Sequence, residues 1–123
     1  MTSTEDMRAI VARYVACVGA GDTEGIVALY AENATVEDPY GTPAHHGHDG
    51  IRSFYGALAG TEMSTELVTV RVAGDSAAFQ LRVLTKADGK TITISPIDVM
   101  TFNGEGKIST MRAYWGGEDL TVT

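Results

Sequence analysis

The stretch "TITISPIDVMTF", Thr91 to Phe102, has apolar side chains at every second position, which is typical of a β-strand. One face of this strand carries Ile92, Ile94, Pro96, Asp98, Met100 and Phe102. The ionisable group, Asp98, therefore lies on the more apolar face. An ionised carboxylate there is costly unless it is paired, hydrogen-bonded or kept protonated. We interpret Asp98 either as a paired or backbone-capping core residue or as a protonated hydrogen-bond donor.

The segments around this stretch alternate in the same way. The apolar positions expected to face the core are Val68, Val70, Val72, Ala77, Phe79, Leu81, Val83, Met111, Ala113 and Trp115. The sequences "AGDS", "ADGK" and "NGEG" predict turns between consecutive strands. Phe102, Met111 and Trp115 fit either the core or the wall of an apolar pocket.

Helical spacing of apolar residues predicts three helices in the N-terminal half. The first starts with a capping box at Thr2 and ends at "GAGD". The second, "TEGIVALYAE", follows a cap at Asp22, and the third follows a cap at Asp49. Helices followed by a run of strands indicate an α+β fold, with an antiparallel sheet packed on segregated helices in one domain, residues 1–123.

Composition narrows the class of partner. The chain has 123 residues, a net charge of -7 and a pI near 4.7, which disfavours nucleic acid and anionic membranes. The acidic surface is compatible with a neutral apolar ligand. A single cysteine excludes an internal disulfide, and the polar start "MTSTEDMRAI" is unlike a signal peptide, so we expect a cytoplasmic protein.

Asp38 is a second candidate for chemistry. The segment "ATVEDPYG" predicts a short strand in which Ala34, Val36 and Asp38 share a face. Pro39 favours an extended conformation at Asp38. Asp38 is then either an exposed turn residue or a general base that faces a cavity, and the local sequence leaves both interpretations open.

Three tyrosines, Tyr14, Tyr30 and Tyr55, each lie on the apolar face of a different predicted helix. Each alone is typical of a core tyrosine whose hydroxyl finds a carbonyl partner. Together, three such helices can bring the hydroxyls into one pocket, where they would share hydrogen bonds and donate to an enolate oxygen.

Other motifs carry less. "HHGH", with His45, His46 and His48, suggests metal binding, but it lacks the helical ligand spacing and sits beside Pro and Gly, so we expect solvated loop histidines and no metal. "GAGDTE" and "GEGK" lack the remaining residues of nucleotide-binding loops. Cys17 is expected to be a small core residue.

The sequence nevertheless resembles a known family. "ARYVACVGAGDTEGIVALYAENATVEDPYG", "IRSFYGAL" and "SPIDVMTFNGEGKISTMRAYWG" are similar to the bacterial Δ5-3-ketosteroid isomerases, within the superfamily that includes nuclear transport factor 2 and polyketide cyclases. The resemblance is weakest from about Gly60 to Lys90. It implies a cone-shaped fold with a curved mixed or antiparallel sheet on three helices around an apolar pocket. It also implies a homodimer, a steroid substrate and no cofactor.

The resemblance also implies roles. Asp38 matches the proton-shuttling base, and Tyr14 and Asp98 match the two donors to the steroid's 3-keto oxygen. The residues expected to support them or to line the pocket are Tyr30, Phe54, Tyr55, Met111 and Trp115. The implied reaction moves the Δ5 double bond to the conjugated Δ4 position through a dienolate. Two alternatives remain: another enzyme on this fold, such as a polyketide cyclase or a dehydratase, and a non-catalytic binding module.

Overall fold

The computed structural model describes residues 2–123. Its helices are α1 (Thr4–Ala20), α2 (Thr23–Val27) and α3 (Gly47–Gly56). Its strands are β1 (Tyr30–Glu37), β2 (His45–His46), β3 (Glu62–Ala73), β4 (Ser76–Ala87), β5 (Lys90–Ile94), β6 (Ile97–Phe102), β7 (Ile108–Tyr114) and β8 (Leu120–Val122). A 3₁₀ turn, Gly117–Asp119, precedes β8.

The strands form one curved sheet in the order β2-β1-β7-β6-β4-β5-β8, with β3 also paired to β4. β1 and β7 run parallel, and the other pairings recorded for residues 2–123 are antiparallel. The sheet is therefore mixed, as the expected mixed or antiparallel sheet allows, and it departs from the antiparallel order of elements only at the pairing of β1 with β7 among residues 2–123. The α+β class, with three helices packed on a curved sheet, is confirmed.

Helix ends follow capping chemistry, with two corrections. Ser3, and not Thr2, caps α1 by accepting from the amide of Asp6. Gly21 ends α1 with a left-handed φ of 66°, and Asp22 caps α2 as predicted. The cap of α3 is the backbone of His46, so Asp49 lies inside the first turn rather than at its start.

The second helix is shorter than its sequence pattern predicts. α2 ends at Val27, and Tyr30 already belongs to β1, so the assignment of Tyr30 to a helix is wrong. The carbonyl of Leu29 accepts from the amide of Ile108 in β7. Pairing with a distant strand therefore overrides the local helical spacing.

The stretch Thr91–Phe102 is two strands rather than one. β5 and β6 pair in tandem with β4, and the break between them lies at Ser95 and Pro96. Beyond the break the predicted face holds: Asp98 is 3% exposed and lies beside Met100 and Phe102, while Ile97 points outward and is half exposed.

A bulge in β3 changes a second expected face. Register with β4 shifts between Leu67 and Thr69, so Val68 turns outward and is exposed. Leu67, Val70 and Val72 then pack against the core from the inner face. The prediction that Val68 joins Val70 and Val72 on one face is wrong, because an extra residue reverses the alternation.

Candidate active site

A cavity of about 240 Å³ lies between the helices and the inner face of the sheet. Its polar groups come from Tyr14, Asp38, Tyr55, Thr85 and Asp98. The other lining residues are apolar: Val18, Phe54, Leu58, Met63, Leu81, Val83, Ile94, Pro96 and Trp115. An apolar enclosure with a few convergent polar groups is the usual form of a small-molecule site.

Asp98, the second residue of β6, reaches this cavity from the inner face of the sheet. Its Cα pairs with Phe79 on one side and Ala113 on the other, both of them buried. Oδ1 of Asp98 has no hydrogen-bond partner within residues 2–123. Burial, and then the charge on Asp38, hold the Asp98 pKa well above its ordinary value of 3.8. The raised pKa favours the protonated acid, and the unpartnered Oδ1 is an oxygen that can carry its hydrogen.

Asp38 follows the end of β1, just before a cis peptide bond to Pro39. Trp115 Nε1 donates to its Oδ1 at 2.8 Å, and the other carboxylate oxygen is left for a ligand. Burial raises the Asp38 pKa, while the Trp115 hydrogen bond and then the His45 charge lower it. Asp38 thus stays the more acidic of the two carboxyl groups and is suited to accept a proton.

The three tyrosines form one hydrogen-bonded chain. The hydroxyls of Tyr30 and Tyr55 are 2.8 Å apart, and those of Tyr55 and Tyr14 are also 2.8 Å apart. Burial raises the pKa of all three phenols well above 10.0, so they are neutral donors. Either hydroxyl of each pair can be the donor. When Tyr30 donates to Tyr55 and Tyr55 donates to Tyr14, the Tyr14 hydrogen is free for the cavity.

Phe54 and Met111 divide between cavity and core. Phe54 lines the cavity and stacks against His45 at 4.6 Å between ring centres. Met111 is fully buried and does not line the cavity, so it is a core residue rather than a pocket wall.

The histidines of "HHGH" are not a solvated loop. His45 and His46 form β2, and Nε2 of His48 is 2.8 Å from the carbonyl oxygen of Tyr30. Across residues 2–123, no group of three or more His, Cys, Asp or Glu side chains is placed to hold a metal ion. Arg112 pairs with Glu37 and lies over the Tyr40 ring. Cys17 is buried, as predicted.

Sequence reasoning assigned several cavity residues only to the core or to a strand face. Ile94 and Pro96 share the face of Asp98, and that alternation was the signal that could have placed them in the site. Leu58, Met63 and Val18 carry no comparable signal, because an apolar residue that faces a cavity looks like one that faces a neighbour.

Within the described part of the chain, no helix combines the length and apolarity that crossing a membrane requires.

The arrangement places one carboxylate, one neutral acid and one neutral phenol around an apolar space. Such a site can remove a proton next to a carbonyl and donate two hydrogen bonds to the oxygen that becomes negative. Hydrogen bonds are stronger in an apolar surrounding than in water, so each donor at this mostly apolar cavity can stabilise developing charge.

Comparisons with known proteins span most of the chain. The SnoaL-like domain model matches residues 11–111. A steroid Delta-isomerase from Nocardioides simplex is 48% identical over 118 residues, 96% of this chain and 96% of that protein. A solved structure of SalBIII, an epoxide hydrolase/cyclase-like enzyme with a role in pyran ring formation in polyether salinomycin, has a TM-score of 0.92 at 31% identity and covers 100% of both chains.

Proposed function

We propose that this chain, which belongs to the SnoaL-like domain family, isomerises Δ5-3-ketosteroids to their Δ4 conjugated form. Its 48% identity to a steroid Delta-isomerase supports this proposal. The observation that carries this proposal is the meeting of Asp38, Asp98 and Tyr14 at one apolar cavity. Their protonation states divide them into one base and two donors.

The first step is proton removal from C4 of the steroid. Asp38 accepts this proton on its carboxylate, and the bond pair of the C–H bond moves into the ring to form a dienolate. The Trp115 hydrogen bond holds the carboxylate in place and lowers its pKa against the rise that burial causes. A positioned base of this kind contributes about 100- to 10,000-fold to a rate.

The second requirement is a place for the negative charge. The former 3-keto oxygen accepts hydrogen bonds from Tyr14 and from protonated Asp98, both of which are buried. Each donor is worth about 3 kcal/mol in barrier height. When the Tyr55 hydroxyl donates to Tyr14, charge that reaches the Tyr14 oxygen is shared along the tyrosine chain.

The last step returns the proton. Asp38 delivers it to C6, the dienolate collapses, and the double bond becomes conjugated with the ketone. Asp38 is again a carboxylate at the end of the reaction. The steps described therefore involve the side chains of the protein and the carbonyl of the substrate.

Steroid turnover tests the proposal. We expect 5-androstene-3,17-dione to be converted to the conjugated enone. The increase in the enone absorbance measures this conversion. A rate equal to buffer would contradict the isomerase assignment.

A second candidate function is favoured by the similarity to the SalBIII structure. An acid and a base around one cavity also suit ring closure, in which the acid protonates an epoxide oxygen and the base removes the proton of an internal hydroxyl. Turnover of a hydroxy-epoxide without turnover of the ketosteroid would select this candidate.

A further inference from the structure

The "HHGH" segment, residues 45–48, is not used by the proposed chemistry, yet it lies along β1. His46 pairs with Thr35 and His45 pairs with Val36, in antiparallel register. Val36 is two residues from Asp38 and shares its strand face. The first half of the segment therefore holds the part of β1 that leads into the base.

The second half of the segment continues along the same strand toward its start. Gly47 has φ +69, and a Cβ added to it would lie 3.3 Å from the carbonyl oxygen of Glu32. The next residue, His48, places Nε2 at 2.8 Å from the carbonyl oxygen of Tyr30. A carbonyl oxygen only accepts, so Nε2 of His48 carries the hydrogen and donates it. Four consecutive residues thus contact β1 from Val36 back to Tyr30.

This part of β1 needs such a contact because its pairing with β7 is interrupted. Tyr30 pairs with Ile108, and the next recorded pair joins Thr35 to Thr110. Five steps along β1 therefore match two steps along β7, and the residues between them are outside a regular ladder. The His48 hydrogen bond satisfies the Tyr30 carbonyl at the start of this irregular stretch.

Tyr30 is consequently attached to α3 at both ends. Its carbonyl binds His48, and its hydroxyl binds the hydroxyl of Tyr55. His48 and Tyr55 are seven residues apart in α3, which is about two helical turns, so they lie on the same face of the helix. One contact holds the backbone of Tyr30 and the other holds its hydroxyl, so together they restrain the position and orientation of the Tyr30 side chain relative to Tyr55.

We propose that His48 is a positioning residue that holds Tyr30 in line with Tyr55 and Tyr14, and so aims the Tyr14 hydroxyl into the cavity. This inference rests on the proposed function for its catalytic consequence. His48 acts through the tyrosine chain and does not line the cavity itself.

Turnover of three variants tests the proposal. In His48→Ala we expect kcat to fall roughly tenfold while KM stays within about twofold. The residues that line the pocket are unchanged, but the Tyr14 hydroxyl no longer has the orientation needed to donate to the substrate. His48→Gln places an amide N–H near the same point and should restore most of the loss. His46→Ala, which changes an exposed side chain of the same segment, is the matched control and should retain wild-type kcat.

Proton NMR of the tyrosine hydroxyls in the unliganded protein gives a readout that needs no turnover. We expect the downfield hydroxyl signals of the Tyr14–Tyr55–Tyr30 chain to shift or broaden in His48→Ala, and to return in His48→Gln. Unchanged signals in His48→Ala, or an equal loss of kcat in the Ala and Gln variants, would overturn the proposal. If the wild-type protein fails to turn over the steroid, the proposed function fails, and the NMR comparison still decides the role of His48.

Discussion

Asp38 and Asp98 bring the same functional group into one cavity, but their surroundings differ. Asp38 lies beyond the end of a strand and receives a hydrogen bond from Trp115. Asp98 lies within β6, paired to strands on both sides, and leaves Oδ1 without a partner in residues 2–123. Burial raises the pKa of both, but Trp115 opposes that rise at Asp38, whereas the charge on Asp38 adds to it at Asp98. Local environment, rather than residue type, therefore suits Asp38 to the proposed role of base and Asp98 to the proposed role of donor.

The largest expected effect comes from removing the base. In Asp38→Asn the amide cannot accept the C4 proton, so we expect kcat to fall roughly 100- to 10,000-fold. A phenolic steroid should still bind, because the Tyr14 and Asp98 donors remain. Steady-state kinetics measure kcat, and fluorescence titration measures binding of the phenolic steroid. Glu37→Gln, which changes the neighbouring carboxylate that pairs with Arg112, is the matched control and should stay within about threefold of wild type. Normal turnover in Asp38→Asn would show that another group is the base.

Removing the donor at Asp98 is the next largest change. Asp98→Leu fills a similar volume but donates nothing, so we expect kcat to fall about 100- to 1,000-fold. Asp98→Asn keeps an N–H donor in the same place and should lose less. If Asp98→Leu and Asp98→Asn turned over equally well, the donor role of Asp98 would be excluded.

The protonation of Asp98 should also appear in the pH dependence of the free energy of unfolding. The Asp98 pKa is raised in the folded state, so between the unfolded value near 3.8 and the folded value the native protein holds a proton that the unfolded chain releases. Wild-type stability should therefore fall as pH rises through that window, by up to about 1.4 kcal/mol per pH unit for one proton. Asp98→Asn should reduce this slope in denaturant titrations. An unchanged slope would mean that Asp98 is ionised in the native protein.

The smallest expected effect lies at Trp115. Trp115→Phe keeps an aromatic wall but removes the N–H that lowers the Asp38 pKa. The Asp38 pKa should rise, so the acidic limb of the kcat/KM profile moves to higher pH, with a loss of roughly three- to tenfold on the acidic side and little change on the alkaline side. A limb that moves to lower pH would contradict the assigned direction of this hydrogen bond.

The sequence was informative where local periodicity decides the structure. The orientation of Asp98 followed from the two-residue period of β6, because that strand is regular from Ile97 to Thr101. The length of α2 was wrong because its end is set by pairing with β7, and no local residue reports that partner. Val68 was misplaced for a related reason, since a bulge in β3 has no clear local signature.

The sequence singled out Tyr14, Asp38 and Asp98, which line one cavity, but it did not reveal the contacts that hold them. Spacing placed Asp38 beside Ala34 and Val36, whereas its bond to Trp115 joins residues 77 positions apart. The "HHGH" spacing could not show that His48 binds the carbonyl of Tyr30. Such contacts depend on how the helices lie on the sheet, which single-sequence patterns do not specify.

The parallel pairing of β1 with β7 has a consequence for synthesis. β1 carries Tyr30 and precedes Asp38, yet its long partner strand begins only at Ile108. At about 5–20 residues per second, β1 waits roughly 4–16 s on the ribosome before that partner is made. Until β7 is made, this edge of β1 lacks its hydrogen-bonding partner, which leaves the nascent chain exposed to aggregation. Asp38 therefore gains both a paired strand beside it and the Trp115 hydrogen bond only after residues 108–115 have been synthesised.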